Sequence, residues 1–291
     1  MNKTIISIII IIILCYIIYF SELEYFTSQD LEIIDRLTFQ EKIDPTKLSL
    51  EIGALNNPFF EPKLYPNLKF IDVFSTEQLK QNYKEHPDVD SNTIVNVDYV
   101  WKGQKYIELI PDVKFEQVFS SHNIEHQPNL IEYLNNISSV LKSDGLVYIV
   151  IPDKRYCFDH YIEESNIIDI LSADIRQDKK PQISTIFKGA FQTTHNEPNR
   201  HWNNDFDINK LDNLDNIDII NILIEKYNYL KNIYDYNKYN YIDTHVWQFT
   251  PRSFIKIINT LNLMKIIDLN IIYCSDTKYG EFEFYAILQK K

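Results

Sequence analysis

Glycine, cysteine and basic tracts are what this sequence is short of. Five glycines in 291 residues exclude collagen-like repeats and flexible glycine-rich linkers. Of three cysteines, Cys15 lies in an apolar run, so Cys157 and Cys274 could form one bridge at most, and a disulfide scaffold is excluded. With 41 acidic against 29 basic residues the formal charge is -12, and no cluster of lysine or arginine offsets it. A nucleic-acid backbone needs such a cluster, so no nucleic-acid partner is expected. What is present is a folding composition: 45% hydrophobic and 24% charged, long enough for one large domain or two small ones.

Residues 4–20 carry no charge, with Lys3 before them and Glu22 and Glu24 after. As a helix they would span roughly 25 Å, the short end of what crosses a bilayer. The bulky Tyr19-Phe20 stands where a signal peptide would have small residues. The expectation is therefore an uncleaved, single-pass N-terminal membrane anchor over residues 1–21, with a cleaved signal or a buried helix as the alternatives. Residues 22–47 read as a helical lead-in, with Leu31, Ile34 and Leu37 at helical spacing.

From residue 48 strands and helices alternate. Residues 48–53, 68–73, 94–100, 115–120 and 146–151 read as strands. A helix is predicted over 129–142, where Leu130, Leu134, Ile137 and Leu141 share a face. Ser75 or Thr76 caps an earlier helix, and Thr250-Pro251 starts a later one. Strands over 265–273 and 281–289 close the chain. The alternation predicts an α/β, mostly parallel sheet with helices on both faces. Residues 156–245 interrupt the rhythm. They are too long for a structureless loop and are expected to form a helical cap, including a helix over 217–234.

In open parallel sheets ligands bind beyond the carboxyl ends of the strands. Glu51 and Gly53, Asp72, Asp98, and Ser121 with His122 all fall there, and Asp153 follows the fifth strand. Asp72 comes 21 residues after Glu51, a spacing at which an acid can accept both ribose hydroxyls of an adenosine ligand. Each of these residues could equally be a solvated loop polar; their joint placement is what suggests a site. Glu51, Asp72 and Asp98 are expected to line one common hollow.

Four segments carry a family resemblance: Leu50-Glu51-Ile52-Gly53-Ala54-Leu55, Ser121-His122-Asn123-Ile124-Glu125-His126, Val140 to Gly145, and Ile151-Pro152-Asp153-Lys154-Arg155-Tyr156. They resemble class I S-adenosylmethionine-dependent methyltransferases, in particular a group with EIGAL, SHxIEH and PDKRY segments, and His245 to Pro251 is similar to that group too. The likeness covers residues 48–290, weakly within the insert. It implies a Rossmann-like seven-stranded sheet of order 3-2-1-4-5-7-6 with the cap after strand five, and a methyltransferase domain over 48–291. It also implies S-adenosylmethionine as cofactor, held by Glu51, Gly53, Asp72, Asp98, Ser121 and His122. Where the family's first motif usually has two or three glycines, this chain has Gly53 alone.

The acceptor is an unidentified small molecule or glycan, with a sugar hydroxyl as the first expectation; if it is a hydroxyl, a base must take its proton. His195, His245 and Asp153 are the candidate bases, with His201 and Tyr156 alongside. Two rival readings stand beside this one. The first is a catalytically inactive copy of the fold acting as a binding or scaffold protein, in which side chains would fill the space above Gly53. The second is a metal hydrolase using His122 and His126, because His122 to His126 fits HxxEH. That pattern needs a helix to put both rings on one face, and here a strand precedes it and Pro128 follows. No metal is therefore expected.

Overall fold

The computed structural model describes residues 30–87, 89–236 and 242–291. The expected membrane helix over residues 4–20 lies outside them, and among the described residues no helix is long and apolar enough to cross a membrane. Ile33–Lys291 forms one compact unit.

Among the described residues its centre is a sheet of seven strands, which follow the two-residue strand β1 (Glu32–Ile33) in the chain. The seven are β2 (Ser49–Ile52), β3 (Leu68–Asp72), β4 (Tyr99–Val100), β5 (Phe115–Ser121), β6 (Leu141–Pro152), β7 (Leu269–Asp276) and β8 (Glu283–Lys290). They run in the order β7-β8-β6-β5-β2-β3-β4. The pairs β2–β3, β2–β5, β3–β4 and β5–β6 are parallel, while β8 runs antiparallel to both β6 and β7. Counted from β2, this is the expected order 3-2-1-4-5-7-6, an α/β Rossmann-like arrangement. The order reverses at β2, where neighbouring crossovers leave on opposite faces and open a crevice at the carboxyl ends.

The core forms where the strands are apolar on both faces. On one side Phe39, Phe59, Phe60, Phe119, Tyr148 and Tyr285 pack as an aromatic cluster, with Phe39 stacked on Tyr285 at 4.8 Å. On the other, Leu134 and Ile137 of the helix Leu130–Val140, and Phe254 and Ile258 of the helix Pro251–Leu263, are fully buried. Local chemistry starts these helices. Ser75 caps Thr76–Asn82 with a reciprocal bond to Gln78, and Thr250 does the same with Ser253, ahead of Pro251 in the first turn.

Three elements depart from expectation. The third parallel strand is Tyr99–Val100 instead of residues 94–100. The Asp98 carboxylate takes the Phe70 amide at 2.9 Å, so a side chain occupies the donor that a longer strand would pair with its backbone. In the lead-in, the helical spacing produces only the short helix Arg36–Gln40, capped by Asp35. The fifth parallel strand begins at Leu141, with an irregular step between Phe115 and Gln117 on its partner.

The insert is helical as expected, with helices Ile167–Arg176, Ile183–Phe191, Pro198–Trp202 and Ile217–Tyr236. It returns to the sheet where Phe249 bridges Asp153 and accepts the Lys154 amide at 2.9 Å.

Candidate functional site

A hollow of about 190 Å3 opens at the carboxyl ends of β2 and β3. Gly53, Asp72, Phe74, Trp101, His122 and Asn123 are among its walls. Gly53 follows β2 at φ +69°, a conformation that side-chain-bearing residues rarely adopt. A Cβ there would lie 2.6 Å from Asn123 Nδ2, so the glycine permits a close approach. Asp72 ends β3, is partly buried, and accepts the Phe74 amide at 3.2 Å through Oδ1. Burial raises its pKa above the usual carboxylate value, with backbone hydrogen bonds opposing. Trp101, whose Nε1 donates to the Gln104 carbonyl at 2.5 Å, supplies a fixed aromatic wall.

The structure thus brings Gly53, Asp72 and His122 together and separates the other three cofactor candidates. Glu51 is 1% exposed beneath the hollow and accepts the Phe59 amide at 2.6 Å. Desolvation pushes its pKa up to about 8, against the opposing pull of the Phe59 amide and Arg36. Asp98 turns to the surface, 2.9 Å from Lys69 Nζ. Ser121 Oγ faces Arg36 at 3.4 Å. The expectation that Glu51, Asp72 and Asp98 line a common hollow is corrected: only Asp72 does. Ending a strand fixes where the backbone stops, and the nearest donor then decides which way the carboxylate turns.

The three candidate bases are also dispersed. Asp153 is fully buried and spoken for by Arg155 Nε at 2.9 Å, the Arg155 amide at 3.0 Å and the Thr277 hydroxyl at 2.6 Å. A carboxylate so engaged is framework, and the expectation of a base there is corrected. His195 is held within the insert, with Nε2 at 2.7 Å from the Asp205 carbonyl and Nδ1 accepting the Glu197 amide at 3.2 Å. Both its nitrogens are used locally, and it walls neither the hollow nor the cavity next to it. His201 Nε2 reaches the His195 carbonyl, and Tyr156 stacks on Trp202 at 3.8 Å.

His245 differs. It shares with His122 and Glu283 a second cavity of about 480 Å3. It also shares with His126, Lys226 and Tyr229 a third of about 670 Å3, walled by the insert. Its Nδ1 lies 2.6 Å from Asp159 Oδ2. Burial opposes charge on the ring, but the hydrogen bond and charge of Asp159, with Glu125, lift its pKa above the ordinary value. His122, at φ +46°, sits between the hollow and the second cavity with Nε2 at 2.7 Å from Glu283 Oε2. Glu283 also holds Arg36 through two bonds of 2.9 Å. Burial works against its charge, yet the bonds from His122 and Arg36 bring its pKa down to about 2.

Trp101, Glu125, Asp159 and Glu283 escaped the sequence reading. Glu283 left one signal, an acid opening the otherwise apolar run Phe284 to Leu288. Glu125 lies inside the SHxIEH segment, where nothing local distinguishes it from a surface acid.

No family model matches the chain, and no curated protein does. Solved structures resemble it at low identity. The CcbJ methyltransferase from Streptomyces caelestis is 9% identical at TM-score 0.41, covering 88% of this chain and 94% of its own. A putative S-adenosylmethionine-dependent methyltransferase from Listeria monocytogenes is 10% identical at 0.41, covering 88% and 96%. The methyltransferase CalH, solved with SAH, is 11% identical at 0.39, and this chain spans 55% of its length. Likeness at this level carries no residue's role across to this chain.

Proposed function

We propose that this protein is an S-adenosylmethionine-dependent methyltransferase, anchored in a membrane by residues 4–20, that acts on a hydroxyl of a sugar or glycan. The observation behind it is the wall formed by Gly53, Asp72 and Trp101 at the point where the strand order reverses. An acid at the tip of the strand beside the glycine turn is placed to take ribose hydroxyls, and an indole can stack on an adenine. At about 190 Å3 the hollow is smaller than the roughly 300–1,000 Å3 of sites for whole drug-sized ligands. Its size would suit an adenosyl part, which Gly53, Asp72 and Trp101 would hold, and His122 walls both this hollow and the second cavity. When bound, the cofactor supplies an electrophilic methyl on a sulfonium. The chain's task is then to align an acceptor oxygen about 3 Å from that methyl and keep water away. The second cavity, bounded by His122, Asn196 and His245, is the space for that acceptor.

One observation favours the inactive-scaffold reading: Asn123 closes over Gly53, as that reading requires. Calorimetry on the full chain in detergent separates the two. The methyltransferase reading expects one equivalent of S-adenosylmethionine or S-adenosylhomocysteine to bind. It expects Asp72→Ala to weaken binding at least tenfold, and Asn123→Ala to retain it. Absence of binding by the unmutated chain sinks the reading, and binding gained only in Asn123→Ala establishes the scaffold.

A further inference from the structure

The 3-10 turn Ile124–His126, directly after β5, buries a carboxyl group completely: Glu125 is 0% exposed, and among the described residues neither of its oxygens has a hydrogen-bond partner. A fully buried carboxyl group without a hydrogen bond is costly for a fold to carry, so it needs a reason. Three imidazole nitrogens surround Glu125 Oε1: His126 Nε2 at 3.7 Å, His122 Nδ1 at 3.8 Å and His245 Nε2 at 3.9 Å. These distances are too long for hydrogen bonds and leave a gap among the four groups. One donor atom each from Glu125, His126 and His245 lies within 4.8 Å of the others.

The opposite nitrogen of each ring faces a carboxylate. His245 Nδ1 is 2.6 Å from Asp159 and His122 Nε2 is 2.7 Å from Glu283. His126 Nδ1 is 3.1 Å from Asp243, an ion-pair distance with poor hydrogen-bond direction. A carboxylate behind an imidazole fixes its orientation and tautomer and presents the other nitrogen to a cation. The backbone locks the same assembly, since the Val246 and Trp247 amides both donate to the Glu125 carbonyl, at 2.6 and 3.1 Å.

We propose that Glu125, His126 and His245 bind a divalent first-row transition-metal ion of the zinc type, with His122 within reach as a fourth donor. Imidazole and carboxylate together suit zinc, cobalt, iron or manganese, whereas calcium and magnesium prefer all-oxygen shells. Ligands about 2.0–2.1 Å from a tetrahedral ion stand about 3.4 Å apart, so the carboxylate contacts would close by about half an ångström. HxxEH needs a helix to bring its own two rings to one face, and here the fold assembles the donors without one. The turn presents Glu125 and His126, and the ring that a helix would have supplied comes from His245 at the far end of the insert. His245 is then a ligand and not the proton acceptor expected of it. His122 and His126 also wall the hollow, so the ion and the cofactor space share a boundary.

The test is metal binding by the full, tag-free chain in detergent after chelation, with no S-adenosylmethionine present, so it stands apart from the cofactor reading. Calorimetry with Zn2+ should give one ion per chain, and Co2+ should give visible absorption bands. Zn2+ should raise the unfolding midpoint. Glu125→Gln and His245→Asn should each weaken Zn2+ binding at least a hundredfold, and His195→Asn should leave it unchanged. In chelator, Glu125→Gln should unfold at or above the wild-type midpoint, because the carboxyl group makes no hydrogen bond that the amide would lose. If Glu125 instead serves only as a counter-ion to the histidines, that variant unfolds earlier in chelator and the proposal fails. It fails equally if the unmutated chain takes up no ion, or if both ligand variants bind as it does.

Discussion

The two halves of the sheet's carboxyl edge treat their acids in opposite ways. On the β6–β8 side three carboxylates are matched by arginines: Asp153 and Asp276 by Arg155, Glu283 by Arg36. Toward β2, β3 and β5 the acids have little. Glu51 and Asp72 each accept a backbone amide, and Glu125 accepts no hydrogen bond at all. Both halves bury carboxyl groups, so burial alone does not mark the site. What differs is whether the fold itself completes the charge. Matched ions hold the β6–β8 end rigid, while unmatched ones leave coordinating capacity for something the chain does not contain.

The sharpest way to break this comparison is to unmatch a matched acid. Glu283→Ala strands Arg36 and His122 and removes the acceptor of the Tyr285 hydroxyl. Breaking one partner of a buried pair costs about 3–5 kcal/mol. For a domain of this size the thermal midpoint should fall by about 10 °C. Asp72→Asn should cost no more than about 1 kcal/mol, a fall of about 3 °C, and its effect should be on binding of S-adenosylmethionine if the proposed function holds. Equal thermal losses in the two variants would show that the halves are alike after all.

Next in size is Gly53→Ala. The left-handed φ of +69° and a Cβ 2.6 Å from Asn123 Nδ2 should together cost about 2 kcal/mol, read by denaturant unfolding. Adding Asn123→Ala should return the steric part and leave the backbone part of about 1 kcal/mol. No recovery in the double variant would mean that Asn123 does not crowd the glycine, and that the hollow is shaped by other groups.

Local chemistry explains how much of this could be read from sequence. Alternating apolar strands and helices, the Ser75 cap and the Thr250-Pro251 start are decided within a few residues, and the structure has them. The family likeness supplied the strand order, which local patterning cannot. The site was legible only in part, because a strand tip locates an acid without orienting it. Asp72 faces the hollow, but Asp98 was drawn to Lys69 and the Phe70 amide, and Asp153 to Arg155 and Thr277. Glu125 was illegible for a stronger reason. Its surroundings include His245, which the insert brings back from more than a hundred residues away, and nothing in the local motif marks that meeting.

The finest test of the comparison is a proton. Glu51 has one oxygen on the Phe59 amide and the other without a partner, and its folded pKa is raised from 4.5 to about 8. Between those values the folded chain holds a proton that the unfolded chain has released. The associated stability is complete below about 4.5 and is lost as the pH rises toward 8. Each pH unit in that window removes about 1 kcal/mol from the wild type. Glu51→Gln keeps an acceptor for the Phe59 amide and has no proton to lose. The two chains should therefore unfold within about 1 kcal/mol of each other at pH 5 and diverge above it, the variant becoming the more stable. Parallel stability curves from pH 5 to 8 would mean that Glu51 is ionised in the folded state, and so matched by a charge, like the acids on the β6–β8 side.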